Sequence, residues 1–259
     1  MRQPVPDLLK GVAVIAMIQV HVMEQFARPE IFNGPPGKVS LFLGGPFAAP
    51  VFMAVMGYFL GKARPGGREA EKNKIWMKFR RGGALILLGL LLNIGLNFTL
   101  LVNIFRGKFE ADPFQYIFGA DILPLAGLSI LIIGLMEVLL KKRGIAALIL
   151  AAAIPAITPF ITGLPEQYKY VQAFIGSPEK WSYFPLFPWL AYPLLGYGWR
   201  RFELEYPSMY DFIVKNLKIV LIISVALVLA LAMPAYRNVT ELGAYYHHGI
   251  LLFCWMAGL

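Results

Sequence analysis

The chain has 259 residues, of which 58% are hydrophobic and only 15% charged, with a mean hydropathy of +0.62. That is too apolar for a soluble domain and reads as a polytopic, all-α membrane helix bundle. The formal charge of +9 then reports topology and anionic headgroups rather than nucleic acid, and a lone Cys254 excludes an intrachain disulfide.

Apolar windows long enough to cross about 30 Å of hydrocarbon predict eight helices, near 8–26, 41–61, 83–105, 118–140, 144–163, 183–202, 213–234 and 243–259. Pro155 and Pro159 interrupt the fifth; Pro185, Pro188 and Pro193 interrupt the sixth. Broken helices survive in membranes where neighbouring helices or water satisfy the freed backbone groups, so the sixth is expected inside the bundle. Alternation of these helices puts 17 of the 24 Lys and Arg on one side, including Arg2, Lys10, the run from Lys62 through Arg64 to Arg81, Lys141, Lys142, Arg143, Arg200 and Arg201. The positive-inside bias then places the N-terminus in the cytoplasm. The apolar first segment lacks a cleavage site, and a multi-pass protein of a bacterial inner membrane is expected. The longest polar stretch, 62–82, holds Arg64-Pro65-Gly66-Gly67 and then a charged run. The chain stops at Leu259 inside an apolar segment, which points to a truncated end or a half-inserted last helix. One domain, 1–259, is expected.

Lys10 and His21 share the first helix. Eleven residues at about 100° each bring the two side chains within roughly 20° of one stripe, about 16 Å apart along the axis, with Val14 and Met17 between them. Two ionisable groups on one face of a membrane helix mark a functional site by default; the alternative is a snorkelling lysine and a histidine near water. His21 fits a proton-transfer role, because imidazole titrates near neutrality, and Glu24 at i+3 is placed to orient its ring. Asp7 and Lys10 form an i,i+3 pair that either serves the helix dipole or fixes Lys10 toward an anionic ligand. Lys78-Phe79-Arg80-Arg81 enters the third helix as a basic cluster, either topological or suited to phosphates. Asp121 is expected to be the acid of the fourth helix that faces the bundle. Trp189, in the aromatic run 184–190, belongs to an interfacial belt or to the wall of a substrate cavity. His247 and His248 are expected to approach His21 from the same side. No short metal-ligand spacing is present, and no metal is expected.

These residues resemble a known superfamily. Asp7, then Lys10-Gly11, then His21 is similar to the first-helix signature of the type-three transmembrane acyltransferases and the related heparan-alpha-glucosaminide N-acetyltransferase-like proteins. Lys78-Phe79-Arg80-Arg81 resembles the superfamily's basic entry to the third helix, with Lys78-x-x-Arg81 in place of its Arg-x-x-Arg, and Asp121-Ile122-Leu123 and Phe187-Pro188-Trp189 resemble segments of the second group. Family members have about ten or eleven membrane helices, so this chain is shorter by two or three. The resemblance implies acyl transfer across the membrane from cytoplasmic acetyl-CoA, without a metal, to a hydroxyl or amine of a glycan or amino sugar on the far side. It implies His21, Glu24 and Asp121 as catalytic groups, Lys10, Lys78, Arg80 and Arg81 as holders of the acyl-CoA, and Asp7, Trp189, His247 and His248 as substrate contacts. Membrane lipids and the acceptor are the expected partners, with a homo-oligomer or larger membrane complex left open. A proton-coupled transporter or flippase, or a catalytically silent accessory subunit, is the competing reading.

Overall fold

A computed structural model describes residues 4–62, 68–140, 143–161, 165–176 and 181–259. Arg2, Arg64, Lys141, Lys142 and the Arg64-Pro65-Gly66-Gly67 stretch lie outside the described residues, as do 162–163 at the end of the fifth predicted segment. Among the described residues the structure is all helix and turn, an all-α bundle.

Each of the eight apolar segments carries a main helix: α1 (Pro4–Phe26), α2 (Pro35–Leu60), α3 (Arg68–Leu96), α4 (Ile122–Leu139), α5 (Gly144–Ile157), α6 (Ala191–Glu205), α7 (Leu217–Val239) and α8 (Ile250–Gly258). Among the described residues, α1, α2, α4, α7 and the Ile75–Leu96 part of α3 are long and apolar enough to cross a bilayer. The others are shorter. At 1.5 Å per residue the 14 residues of α5 reach only about 21 Å, less than the hydrocarbon core. The third helix begins well before the predicted position 83 and breaks at Asn97. Its Glu-, Lys- and Arg-rich start is polar yet strongly helix-forming, so the helix extends beyond the apolar window. At the break, the Asn97 Nδ2 donates to the Asn93 carbonyl at 2.9 Å, an alternative to continuing the ladder.

The helices pack as α1 on α2, α2 on α6, α6 on α5, α3 on α4, and α7 on α8. As expected of the broken sixth segment, α6 lies inside: Ala191, Tyr192, Pro193, Leu194, Gly196, Tyr197, Gly198 and Phe202 are buried. Close approach depends on glycine. A Cβ on Gly57 of α2 would fall 2.0 Å from the Pro193 carbonyl oxygen, and one on Gly196 of α6 would fall 1.8 Å from that of Ala54. The α3–α4 pair repeats the device, since a Cβ on Gly127 would stand 2.6 Å from the Gly82 oxygen. Small residues let backbones meet at van der Waals distance, which is how membrane helices associate without a hydrophobic driving force between them. By contrast α1 and α7 bury little of their surface.

Two buried or half-buried polar side chains show how the bundle satisfies such groups. The buried Asn93 side chain donates to the carbonyls of Ile117 (3.2 Å) and Gly119 (3.0 Å), fixing the chain before α4. The Glu205 carboxylate at the end of α6 accepts from the Gly144 N–H at 2.9 Å and the Arg143 N–H at 3.1 Å, and pairs with Arg201 at 2.7 Å. It thereby caps the start of α5, where an anion meets the positive helix end.

Candidate functional site

Helix direction sorts the candidate residues to two ends. One, the basic end, holds the start of α1, the end of α2, the start of α3 and the end of α6. The opposite end holds the end of α1, the start of α4 and the 181–190 and 240–249 segments.

At the opposite end, His21 Nδ1 stands 3.0 Å from Glu24 Oε2. A carboxylate oxygen only accepts, so Nδ1 carries the proton and donates it, which leaves Nε2 as the basic nitrogen. The His21 side chain is 60% exposed and Glu24 24% exposed, so the ring projects from the surface of α1 while its carboxylate partner turns inward. Glu24 and Asp121 both lie within electrostatic range of Tyr246, as does Tyr183. The Asp121 side chain also caps α4, accepting from the Ile122 N–H at 2.6 Å. It is not the only acid of that helix to face the bundle. Glu137, near the basic end, does so too, and the sequence reading passed over it.

Behind this rim sits an aromatic wall. Trp189 is fully buried, and its indole N–H donates to the Tyr246 carbonyl at 2.8 Å. Phe184 and Tyr245 meet the Trp189 ring edge-on, at 4.7 and 5.4 Å between centres. His248 is buried with both nitrogens engaged: Nδ1–H donates to the Tyr245 carbonyl at 2.7 Å, so Nε2 accepts from the Tyr192 hydroxyl at 2.7 Å. Tyr245 in turn donates to the Gly45 carbonyl of α2 at 2.8 Å. The His247 ring bonds the Ser182 backbone. In this arrangement Trp189 and His248 support the rim from within and present no free polar atom to a substrate. Among the described residues no three His, Cys, Asp or Glu side chains converge as metal ligands.

At the basic end, the Lys10 ammonium lies 4.0 Å above the centre of the Phe59 ring, and Asp7 is half-buried one turn earlier. Arg80 and Arg81 are exposed on α3. Lys78 is engaged elsewhere: its Nζ stands 2.5 Å from Glu137 Oε2 of α4 and 3.4 Å from the Leu60 carbonyl. The Tyr197 hydroxyl of α6 donates to Glu137 Oε1 at 3.2 Å. This triad ties α3, α4 and α6 together.

The structure thus brings His21, Glu24 and Asp121 to one end with Trp189, His247 and His248, and puts Lys10, Lys78, Arg80 and Arg81 at the other. It does not enclose the stripe between Lys10 and His21. Val14 and Met17 are exposed, since among the described residues α1 packs mainly on α2, where Ala13 and Val20 are buried. An apolar groove of about 700 Å³ runs beside that stripe along the outer half of α1, between Ile15 and Ile31. Sequence reasoning missed Glu137, Tyr197, Phe59 and Tyr246. Glu137 had a signal, a single acid inside the apolar run 122–139; the aromatic partners had none.

The described residues thus form a helical membrane bundle with a histidine–carboxylate pair at one end and a group of cations at the other. The chain matches the family described as heparan-alpha-glucosaminide N-acetyltransferase, catalytic, over residues 2–233, and it belongs to that family. No curated protein and no solved structure matches it significantly.

Proposed function

We propose that the protein is a multi-pass membrane acetyltransferase, with the N-terminus in the cytoplasm, that acetylates a hydroxyl or amine of a glycan or amino sugar at the far side. A bacterial inner membrane is the setting we infer. The observation that carries this reading is the His21–Glu24 contact, because it holds the imidazole in the one tautomer whose Nε2 can take a proton from an incoming hydroxyl or amine. Family membership supplies the reaction class.

Acetyl-CoA is the donor we assign, supplying an activated thioester. The residues fit an anionic group at the basic end: the Lys10 ammonium lies over the Phe59 ring without an ion pair among the described residues, and Arg80 and Arg81 are exposed. Lys10, Arg80 and Arg81 would hold the donor's phosphates through charge-assisted contacts, Arg bidentately. Lys78 would join them only by leaving Glu137. His21 deprotonates the acceptor, Glu24 stabilises the imidazolium that forms, and Asp121 adds negative potential beside Tyr246 that favours the same cation.

Replacing His21 with Ala should lower acetyl transfer about 10²–10⁴-fold, the usual contribution of a general base. Glu24→Gln should lower it about tenfold, the loss of one charge-assisted hydrogen bond. Thermal unfolding in detergent should stay at the wild-type midpoint for His21→Ala, whose side chain is exposed, and close to it for Glu24→Gln, which keeps the shape of the side chain. Full turnover by His21→Ala would overturn the assignment.

One observation favours a second reading. A buried Lys–Glu pair inside a bundle, such as Lys78–Glu137, is also a feature of proton-coupled carriers. Proton flux into vesicles that depends on Glu137 but not on His21 would select the carrier.

A further inference from the structure

The last turn of α2 gathers cations from three elements. Lys10 Nζ lies 4.0 Å and Lys62 Nζ 4.4 Å from the centre of one ring, that of Phe59. Two ammonium groups on a single ring stand less than about 9 Å apart and repel each other, against only a modest ring attraction. Among the described residues neither has a carboxylate within ion-pair distance. One residue earlier, the Arg200 guanidinium of α6 lies 5.4 Å from the centre of the Tyr58 ring, and its Nη1 pairs with Glu203 at 2.6 Å. Arg200 Nε is buried and has no hydrogen-bond partner among the described residues. A buried N–H without an acceptor costs free energy, and an unsatisfied donor among excess cations calls for an anion. The three groups are contiguous: a Cβ on Gly61 would fall 3.0 Å from Arg200 Cβ, so the arginine stem passes beside the residue preceding Lys62.

The negative end of a helix attracts a cation, and the Leu60 carbonyl already receives Lys78 at 3.4 Å. That dipole accounts for one lysine, not for two more cations and an orphaned guanidinium N–H. Among the described residues Glu203 is the carboxylate that pairs with this group, and the two ammonium groups on Phe59, without an ion pair of their own, leave positive charge that suits a phosphate ester.

We infer that Lys62, Lys10 and Arg200 form a phosphate-binding site around Tyr58 and Phe59. Lys62 and Arg200 are the members that the basic motif of the third helix does not include. The occupant is a phosphate ester, carried either by the acyl donor or by an anionic phospholipid headgroup. Only the first source rests on the acetyltransferase reading.

The test uses the purified full chain with two measurements: coenzyme A titrated calorimetrically in detergent, and phosphatidylglycerol retained in native mass spectra after release from nanodiscs. Lys62→Gln should weaken coenzyme A binding about tenfold, the loss of one charge-assisted contact, and Lys62→Arg should restore it. If coenzyme A affinity is unchanged but retained phosphatidylglycerol falls in Lys62→Gln, the site stands and its occupant is lipid. If Lys62→Gln and Arg200→Gln alter neither quantity, the site is overturned. Should Arg200→Gln fail to fold, Lys62→Gln alone decides, because its side chain is half-exposed and Gln keeps most of the stem beside Phe59. Wild-type protein that binds no coenzyme A would count against the acetyltransferase reading, and the lipid measurement would still decide this site.

Discussion

Lys78 and Glu137 are 15% and 14% exposed in their side chains, so each charge depends on the other. Taking either into a low-dielectric interior is costly, and the pair tolerates this because its Coulomb attraction is joined by the hydrogen bond from Tyr197 and the contact with the Leu60 carbonyl. Breaking the pair should therefore be worse than removing it. Glu137→Gln leaves an uncompensated ammonium and should destabilise by about 3–5 kcal/mol, whereas Lys78→Met with Glu137→Leu should come back close to wild type. Thermal unfolding of the two single variants and the double variant forms the cycle. Additive losses would show that the pair is not coupled. The residue scale was also partly open to sequence reasoning. An acid inside the apolar run 122–139 marks a site by default, but its partners sit 59 and 60 residues away, and no local pattern connects them.

At the scale of elements, the helices follow from apolar length, while their ends and their neighbours do not. Residues 68–82 are polar yet helical, because helix propensity and hydropathy are separate properties. Glycine positions carry the pairing information. Gly57 and Gly196 sit at the α2–α6 crossing with no room for a methyl group, whereas Gly83 and Gly95 of α3 have nothing within 4 Å of an added Cβ. Gly57→Ala or Gly196→Ala should force the two backbones apart at a cost of about 1–3 kcal/mol or more. Gly83→Ala should stabilise by about 0.5–1 kcal/mol through helix propensity alone. Unfolding midpoints of the three variants in one detergent compare them directly. A Gly57→Ala protein as stable as wild type would mean that the crossing is looser than the glycine contacts indicate. The sequence displays all of these glycines alike, so which ones face a neighbour was legible only from the packing.

At the scale of the whole molecule, charge asymmetry sorted the two ends correctly: Lys10, Lys62, Lys78, Arg143, Arg200 and Arg201 do gather at one end, with His21, Glu24 and Asp121 at the other. The 3.6-residue period placed Lys10 and His21 on one stripe of α1, but period alone says nothing about what lies across from a stripe. Here it is open, because among the described residues α1 packs mainly on α2 and leaves Val14 and Met17 exposed. The loops of the far end are held together by a cluster that no local sequence pattern announces. Asp112 accepts from the Tyr170 hydroxyl at 2.5 Å, the Lys169 ammonium at 2.9 Å and the Phe114 N–H at 3.0 Å. Burial works to raise the Asp112 pKa, but these three donors outweigh it and hold the carboxyl below its ordinary 3.8. The Asp112 hydrogen bond raises Lys169 above its ordinary 10.5, while burial and the bond to Asp112 raise Tyr170 above 10.0. A depressed carboxyl contributes stability above its unfolded pKa and loses it as pH falls through the folded value; the raised lysine and phenol contribute below theirs and lose it as pH climbs. The cluster is therefore intact between about pH 4 and 10 and fails first on the acid side under ordinary handling. Asp112→Asn should unfold at a lower temperature than wild type at pH 7, and the gap should close as pH falls below about 4, where the wild-type carboxyl takes up its proton. A gap that stays constant down to pH 3 would show that Asp112 acts through packing, with its charge irrelevant to how these loops are tied.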